Sequence, residues 1–266
     1  YDEENWPSHF ESASGIEVKD LDGKKYLDFS NMGVGTNILG YNNKKINKFV
    51  VKKLQRSNMS SLNCPEEVML AEKMVKMHPW SNKALFTRTG AEANAISVRL
   101  ARAYNKKNIV LICGYHGWSD WYLSANFSNK KNLNNHLFNN LKISGVDKSL
   151  KNSSSTFEFN DLDGFKKLIR KQKNLISAVI MEVKRDLEPK MSFLKYIRST
   201  CTKNNIVLIF DECTSGFREN FGGIHLKYGI KPDIAMFGKA LGNGFAINML
   251  LGKSEMMEKK FESFIS

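Results

Sequence analysis

The sequence predicts an α/β domain built on a mainly parallel sheet between layers of helices. Short apolar runs rich in β-branched residues, at Ile109 to Cys113, Ala178 to Met181, Ile206 to Phe210 and Ile234 to Phe237, are too short for typical helices and suit strands buried on both faces. Segments of helical period lie between such runs, giving the βα alternation of a right-handed parallel sheet. The runs end on Gly114, Glu182, Asp211 and Gly238, and open parallel sheets bind ligands beyond the carboxyl ends of their strands.

Near the start of the chain, Ile16 to Lys19 and Tyr26 to Phe29 read as short strands. The Asp22-Gly23 pair between them is a strong hairpin signal. The following Ser30-Asn31-Met32-Gly33-Val34-Gly35-Thr36-Asn37 is either a substrate-facing loop or a flexible connection. Residues 44–54 and 65–77 repeat apolar positions at helical spacing, and Met69, Met74 and Met77 on the second read as packing.

Ala84 to Thr87 is the next strand, followed by Arg88-Thr89-Gly90-Ala91-Glu92 and a helix through Tyr104. A strand, a turn of small residues and a helix start form an anion cradle, in which unpaired amides and the Thr89 hydroxyl can hold a phosphate. The segment lacks GxxxxGK[ST] and GxGxxG, so a nucleotide loop is not indicated. After Cys113 come Tyr115, His116, Trp118, Trp121 and Tyr122. These aromatics either stack on a planar ring, worth about 0.5–1.5 kcal/mol beyond area burial, or form a core or interface cluster, and His116 is either catalytic or a hydrogen-bonded loop residue. Residues 129–155 are polar and read as a long surface loop. Helices are expected at 162–172 and 193–204.

With 42% hydrophobic and 25% charged residues the chain has the composition of a globular domain with one large core. Chain ends at Tyr1 and Ser266 suggest a cut from a longer protein. Apolar runs are too short to span a bilayer and no signal peptide is apparent, so a soluble, cytoplasmic protein without membrane association is expected. Cys64, Cys113, Cys201 and Cys213 form no CxxC pair, which argues against a metal site. The formal charge of +13 admits nucleic-acid binding. The lysines are scattered, however, and form no basic stripe interleaved with aromatics, so catalysis ranks above it.

One acid, Asp211, and one lysine, Lys239, are thus brought to the same sheet edge. Pyridoxal phosphate chemistry needs that pair: a lysine to hold the aldehyde as a Schiff base and a carboxylate to keep the ring nitrogen protonated. A strand-end acid that caps a turn and a solvated lysine would look the same at this level.

The ordered set of segments decides between these readings. Leu21-Asp22-Gly23-Lys24-Lys25-Tyr26-Leu27-Asp28, Thr89-Gly90-Ala91-Glu92-Ala93, Tyr115-His116-Gly117, Asp211-Glu212-Cys213-Thr214-Ser215-Gly216-Phe217-Arg218 and Pro232 through Gly244 span nearly the whole chain. Together they resemble the class III, fold-type I pyridoxal-phosphate aminotransferases, in particular the glutamate-1-semialdehyde 2,1-aminomutase-like branch. The resemblance implies a fold-type I large domain with a seven-stranded type of sheet at 46–266, preceded by an N-terminal segment at 1–45, with the family's C-terminal small domain missing. It implies pyridoxal 5′-phosphate as cofactor, Lys239 as Schiff-base lysine and Asp211 at the pyridine nitrogen. Thr89, Gly90 and Ala91 would bind phosphate, Tyr115 and Cys213 would flank the ring, and His116 and Glu182 would line the site. The family usually has valine where Cys213 stands, and proline after the glutamate where Val183 stands.

Trp118 to Trp121 and Asn132 to Phe138 look more like members linked to bacterial surface-sugar biosynthesis than like the tetrapyrrole-pathway mutase. A homodimer that moves an amino group from a small-molecule donor to a carbonyl acceptor is the implied function. The alternatives are intramolecular aminomutase chemistry, or a basic nucleic-acid or partner-binding protein on a degenerate fold.

Overall fold

The computed structural model describes residues 7–30, 32–56 and 60–265; Asn31 and the chain ends Tyr1 and Ser266 lie outside them. The chain opens with an antiparallel three-stranded sheet of β1 (Phe10–Ser14), β2 (Glu17–Asp20) and β3 (Lys25–Leu27). The β2–β3 hairpin is the one expected, and Asp20 fastens it. Its Oδ1 accepts from the amides of Asp22 (3.0 Å) and Lys24 (2.8 Å), its Oδ2 accepts from the Tyr26 hydroxyl (2.9 Å), and Gly23 takes the left-handed conformation (φ +84°) that the turn requires.

Two amphipathic helices follow, α1 (Lys44–Leu54) and α2 (Pro65–Met77), at the expected bounds. The main sheet then takes β4 (Lys83–Thr87), β5 (Ile109–Cys113), β6 (Ser154–Thr156), β7 (Ile176–Met181), β8 (Val207–Glu212), β9 (Ile234–Phe237) and β10 (Asn248–Gly252), in the spatial order β4-β10-β9-β8-β7-β5-β6. Helix α3 (Gly90–Asn105) follows β4, α4 (Leu162–Gln172) follows β6, and α5 (Met191–Lys203) follows β7. Pairing is parallel from β9 through β8, β7 and β5 to β6, whereas β10 is antiparallel to both its neighbours.

The strands alternate between two cores. Val110, Ile112, Ala178, Ile180, Val207 and Ile209 pack toward α3, while Leu111, Cys113, Val179, Met181, Leu208 and Phe210 pack toward α5. All six residues of β7 and of β8 are buried, which is why Ala178 to Met181 and Val207 to Phe210 read as unbroken apolar runs. Small residues of α3, Ala91, Ala93, Ser97 and Ala101, are buried against the sheet.

Residues 129–155 depart from the surface loop expected of them. Leu133 is fully buried and His136 nearly so, and the segment's end enters β6, which pairs with β5. Ser154, Ser155 and Thr156 carry no apolar signal because an edge strand can be held by backbone pairing alone. Trp121 and Tyr122, read as possible ring-stacking groups, belong to the core under α3.

At the end of β8, Glu212 points away from α3 into a polar cage. Its carboxylate accepts from Ser215 Oγ (2.5 Å), the amides of Ile224 (3.0 Å) and His225 (2.8 Å), and His225 Nδ1 (2.7 Å). His225 Nε2 in turn accepts from Trp80 Nε1 (3.1 Å), so the ring proton sits on Nδ1. Burial pushes the Glu212 carboxyl up, but the bonds from His225 and Ser215 outweigh it and hold the group below the usual carboxylate range.

Glu212→Gln should therefore cost about 3 kcal/mol, because the neutral amide turns a donor toward donors that remain buried. The carboxylate's contribution is complete above its unfolded pKa of about 4.3 and is lost as pH falls through the lower folded value. Urea unfolding followed by tryptophan fluorescence should show a variant weaker at pH 7, with a shallower loss of stability on acidification. A parent and variant of equal stability at pH 7 would contradict this account of the cage.

Candidate active site

The carboxyl ends of β4, β5, β7, β8 and β9 lie at one edge of the sheet, and a cavity of about 890 Å³ opens above them. Its walls include Thr89, Gly90 and Ala91 after β4, Tyr115, His116 and Trp118 after β5, Asp211, Cys213 and Thr214 at β8, and Lys239 after β9. Of the residues expected at the site, only Glu182 is outside these walls. It lies behind Tyr115, accepting from the Tyr115 amide (3.1 Å) and pairing with Arg185 (2.5 Å), and it faces a smaller neighbouring cavity of about 260 Å³.

Asp211 is 4% exposed, beside the equally buried Asn94 and His116. Its Oδ2 accepts from Asn94 Nδ2 and from His116 Nδ1, both at 2.8 Å, and its Oδ1 accepts from the Cys213 amide at 3.0 Å. Burial alone would raise its pKa. The hydrogen bond and charge of His116, with the Cys213 and Asn94 donors, outweigh burial, so the carboxyl titrates below its ordinary value and is ionised at neutral pH. Oδ1 keeps acceptor capacity for a further donor.

Lys239 Nζ donates to Thr214 Oγ1 at 3.0 Å. The lysine backbone is left-handed (φ +43°), a conformation that costs a non-glycine residue about 1–2 kcal/mol. Gly238 before it is extended (φ −158°), and a Cβ there would collide with the Asn248 side chain. Asn248 is itself fixed by donating to Arg88 O (2.8 Å). Strain of this kind persists where surrounding contacts over-determine it, and it clusters at functional positions.

Thr89 caps α3, its hydroxyl accepting from the Glu92 amide (3.2 Å), while Glu92 accepts from the Arg88 amide (2.9 Å) in a variant of the capping box. The amides of Gly90 and Ala91, in the first turn, have no acceptor within the helix and are available to an anion. Tyr115 stands edge-on to Phe138, with ring centroids 5.7 Å apart. Burial, with the nearby Asp211 charge second, pushes the Cys213 thiol up to about 12, so it presents a neutral, weakly polar surface to the cavity.

The donor set suits pyridoxal phosphate: amides at a helix N-terminus for a phosphate, an ionised buried acid for a ring nitrogen, aromatic and thiol surfaces for a ring, and a lysine amine. Among the described residues, no group of three or more His, Cys, Asp or Glu side chains is arranged to hold a metal, and no helix is long and apolar enough to cross a membrane.

The 30–37 segment, read as a substrate-facing loop or a flexible connection, lines the cavity, whereas Asn94 and Arg185 had no role in the sequence reading. Asn94 follows Ala91 by three positions and so shares its helix face, a polar residue in an apolar stripe. Arg185 lies in a segment whose course is fixed only by tertiary packing.

A mainly parallel seven-stranded sheet with these groups at one edge has the fold of the pyridoxal-phosphate-dependent transaminases. A family model, aminotransferase class-III, matches residues 1–262, and the chain belongs to that family. It is 31% identical over 263 residues to 3-aminobutyryl-CoA aminotransferase of Cloacimonas acidaminovorans, covering 95% of this chain and 58% of that protein. It is 34% identical over 262 residues to glutamate-1-semialdehyde 2,1-aminomutase of Nitrosopumilus maritimus, covering 96% and 60%. The crystal structure of an omega-transaminase from Sphaerobacter thermophilus superposes with a TM-score of 0.85 at 27% identity, covering 95% of this chain and 59% of that one. The chain thus spans about 60% of the length of the curated relatives it matches.

Removing either side-chain donor should expose what they do for Asp211. Asn94→Leu and His116→Phe each leave a buried charge short of a hydrogen bond, at an expected cost of about 1.5–3 kcal/mol. Because both serve one oxygen, the double variant should depart from additivity by at least about 0.5 kcal/mol. Urea titrations of the four proteins measure this, and strict additivity would mean that the two donors act independently.

Proposed function

We propose that the chain is the cofactor-binding part of an enzyme that uses pyridoxal 5′-phosphate to move an amino group from a small-molecule donor to a carbonyl acceptor. The carrying observation is the meeting in one cavity of a lysine on a strained backbone and an ionised, buried acid held by three donors, beside a helix N-terminus. Membership of the class-III aminotransferases, a pyridoxal-phosphate-dependent family, supports the same cofactor.

When bound, the cofactor supplies an electron-withdrawing ring and an aldehyde that an amine can attack. In this reading Gly90 and Ala91 give amide donors to its phosphate, with the Thr89 hydroxyl beside them. Asp211 keeps a proton on the ring nitrogen, and His116 and Asn94 keep Asp211 ionised and aimed. Tyr115 and Cys213 confine the ring, while Glu182 holds the Tyr115 backbone from behind. Lys239 Nζ would be the amine that holds the cofactor's aldehyde carbon and, when free, the base that takes up and returns the substrate's proton. Thr214 offers the released amine a hydroxyl partner.

Exposed apolar side chains on the cavity walls, Val34, Trp118 and Phe138 among them, support pairing with a second copy of the chain. The aminomutase of Nitrosopumilus maritimus, at 34% identity, supports intramolecular amino transfer as a second reading. Retention of the amino nitrogen within one molecule, followed with ¹⁵N label, separates it from transfer to a separate acceptor. Surface-sugar biosynthesis is the setting suggested by Trp118 to Trp121 and Asn132 to Phe138.

Lys239→Ala should abolish both the visible absorbance of lysine-held cofactor and turnover, while the cofactor's phosphate contacts survive. Asp211→Asn should keep the cofactor but slow turnover by roughly 10²-fold or more, since a neutral partner no longer favours the protonated ring. Absorbance spectra and steady-state rates check both, and a yellow, active Lys239→Ala protein would move the anchor to another lysine.

A further inference from the structure

We infer that His136 is a positioning residue of the cofactor cavity: from outside its walls, by bonding to Gly114, it fixes the Tyr115 ring for contact with the cofactor. The inference rests on the pyridoxal-phosphate reading of the cavity and adds to it a residue from the 129–155 segment, which the sequence presents as a surface loop.

Tyr115 needs outside support. It sits in the turn after β5 between Gly114 (φ +111°) and Gly117 (φ +97°), two left-handed glycines that leave the backbone unusually free. Its ring meets Tyr122 and Phe138 edge-on, with centroids 5.9 and 5.7 Å apart, and contacts of this kind are individually weak.

A closed loop of contacts supplies the support. The Gly114 amide donates to His136 Nδ1 (2.9 Å) and the Tyr115 amide to Glu182 Oε2 (3.1 Å). Glu182 pairs with Arg185 (2.5 Å), and Arg185 Nη1 donates to the His136 carbonyl. The loop thus leaves His136 at its ring and returns at its backbone. Two successive amides, those of Gly114 and Tyr115, are held by side chains that are themselves nearly inaccessible. Glycine at 114 permits the approach, since a Cβ there would collide with the Glu182 carboxylate. Two residues beyond His136, Phe138 meets the Tyr115 ring, so one short segment holds Tyr115 by both backbone and ring.

An imidazole is a poor choice for packing alone. Nδ1 lies 2.9 Å from both the amide and the carbonyl of Gly114. The amide has no other acceptor among the described residues, whereas the carbonyl also receives the Tyr122 hydroxyl (3.3 Å), so Nδ1 accepts and the proton sits on Nε2. Burial lowers the pKa of His136, which keeps the ring neutral at neutral pH. Its Nε2–H is buried and meets no acceptor among the described residues. Leucine at 136 would orphan the Gly114 amide but remove the orphaned ring donor, exchanging one buried donor for another. Global stability therefore changes little between the two side chains, while the backbone leading into Tyr115 loses its anchor.

The experiment is a double-variant cycle of His136→Leu and Tyr115→Ala, read by absorbance titration with pyridoxal phosphate. Hydrogen exchange of the 114–116 amides, with and without the cofactor, and urea midpoints give readouts that need no turnover. His136→Leu should weaken pyridoxal phosphate by roughly 10-fold, speed exchange at Gly114 and Tyr115, and leave the urea midpoint near that of the parent. In the Tyr115→Ala background the same change should cost less than about 2-fold. His136→Asn, whose side-chain oxygen can take the place of Nδ1, should recover most of the affinity and the protection.

A loss of equal size with and without the Tyr115 ring would overturn the proposal and make His136 a general support of its loop. So would unchanged affinity in His136→Leu, or a His136→Asn protein no better than His136→Leu. Failure of both histidine variants to fold would reduce His136 to a core residue and overturn it as well. Failure of the underlying reading shows separately, as a parent that binds no pyridoxal phosphate and lacks the visible absorbance that depends on Lys239.

Discussion

Two adjacent carboxylates at the end of one buried strand set the terms for this molecule. Asp211 and Glu212 are both nearly inaccessible, and strand geometry sends them to opposite faces of the sheet. Each must be satisfied by its own set of donors or the fold forfeits several kcal/mol. On one face Asn94, His116 and the Cys213 amide answer Asp211; on the other, Ser215, Ile224 and His225 answer Glu212. The first set draws in the start of α3 and the turn after β5. The second draws in the short helix at Ile224–Tyr228 and, through His225, Trp80. One dipeptide therefore gathers segments more than a hundred residues apart on each side of the sheet.

The division of labour is physical. Glu212 has donors on both oxygens, all from the scaffold, whereas Asp211, a residue of the cavity wall, leaves Oδ1 with a single donor. Lys239 is placed by the opposite device, a strained backbone. Gly238 lets the chain pass close to Asn248, and the left-handed turn at Lys239 follows directly. An acid already fixed by its hydrogen bonds loses little on receiving a ligand.

Much of this was legible in the sequence, and the legible parts share a property. The parallel strands and long helices announce themselves because burial on both faces, or on one stripe, imposes a local pattern; 44–54, 65–77, 109–113, 162–172 and 234–237 fall at the expected bounds. Asp211 and Lys239 were found because strand ends define where ligands sit. What escaped was set by contacts distant in sequence. β6 is polar and short, β10 follows a Gly-rich turn whose direction no local signal fixes, and Asn94 is distinguished from a surface polar residue only by the carboxylate opposite. The strained φ of Lys239, Met32 and Val34 is invisible in residue type, since no glycine marks those positions. Leu133 and His136 are buried within an Asn- and Lys-rich stretch because the loop folds back over β5, a matter of topology and not of composition.

The position of β10 has a bearing on how the chain comes together. Its strand lies between β4 and β9, and among the described residues β4 pairs with no other strand of the sheet. The edge that carries the Thr89–Ala91 turn is thus joined to the sheet through residues 248–252, separated from β4 by most of the chain. During synthesis at roughly 5–20 residues per second, β5, β7, β8 and β9 can pair before β10 has emerged. The strand bearing Thr87, and the turn that follows it, must wait. Non-local closure of this kind is slow relative to local pairing. The two halves of the cavity, the helix N-terminus and the acid with its lysine, are thus built on parts of the sheet that meet only through β10.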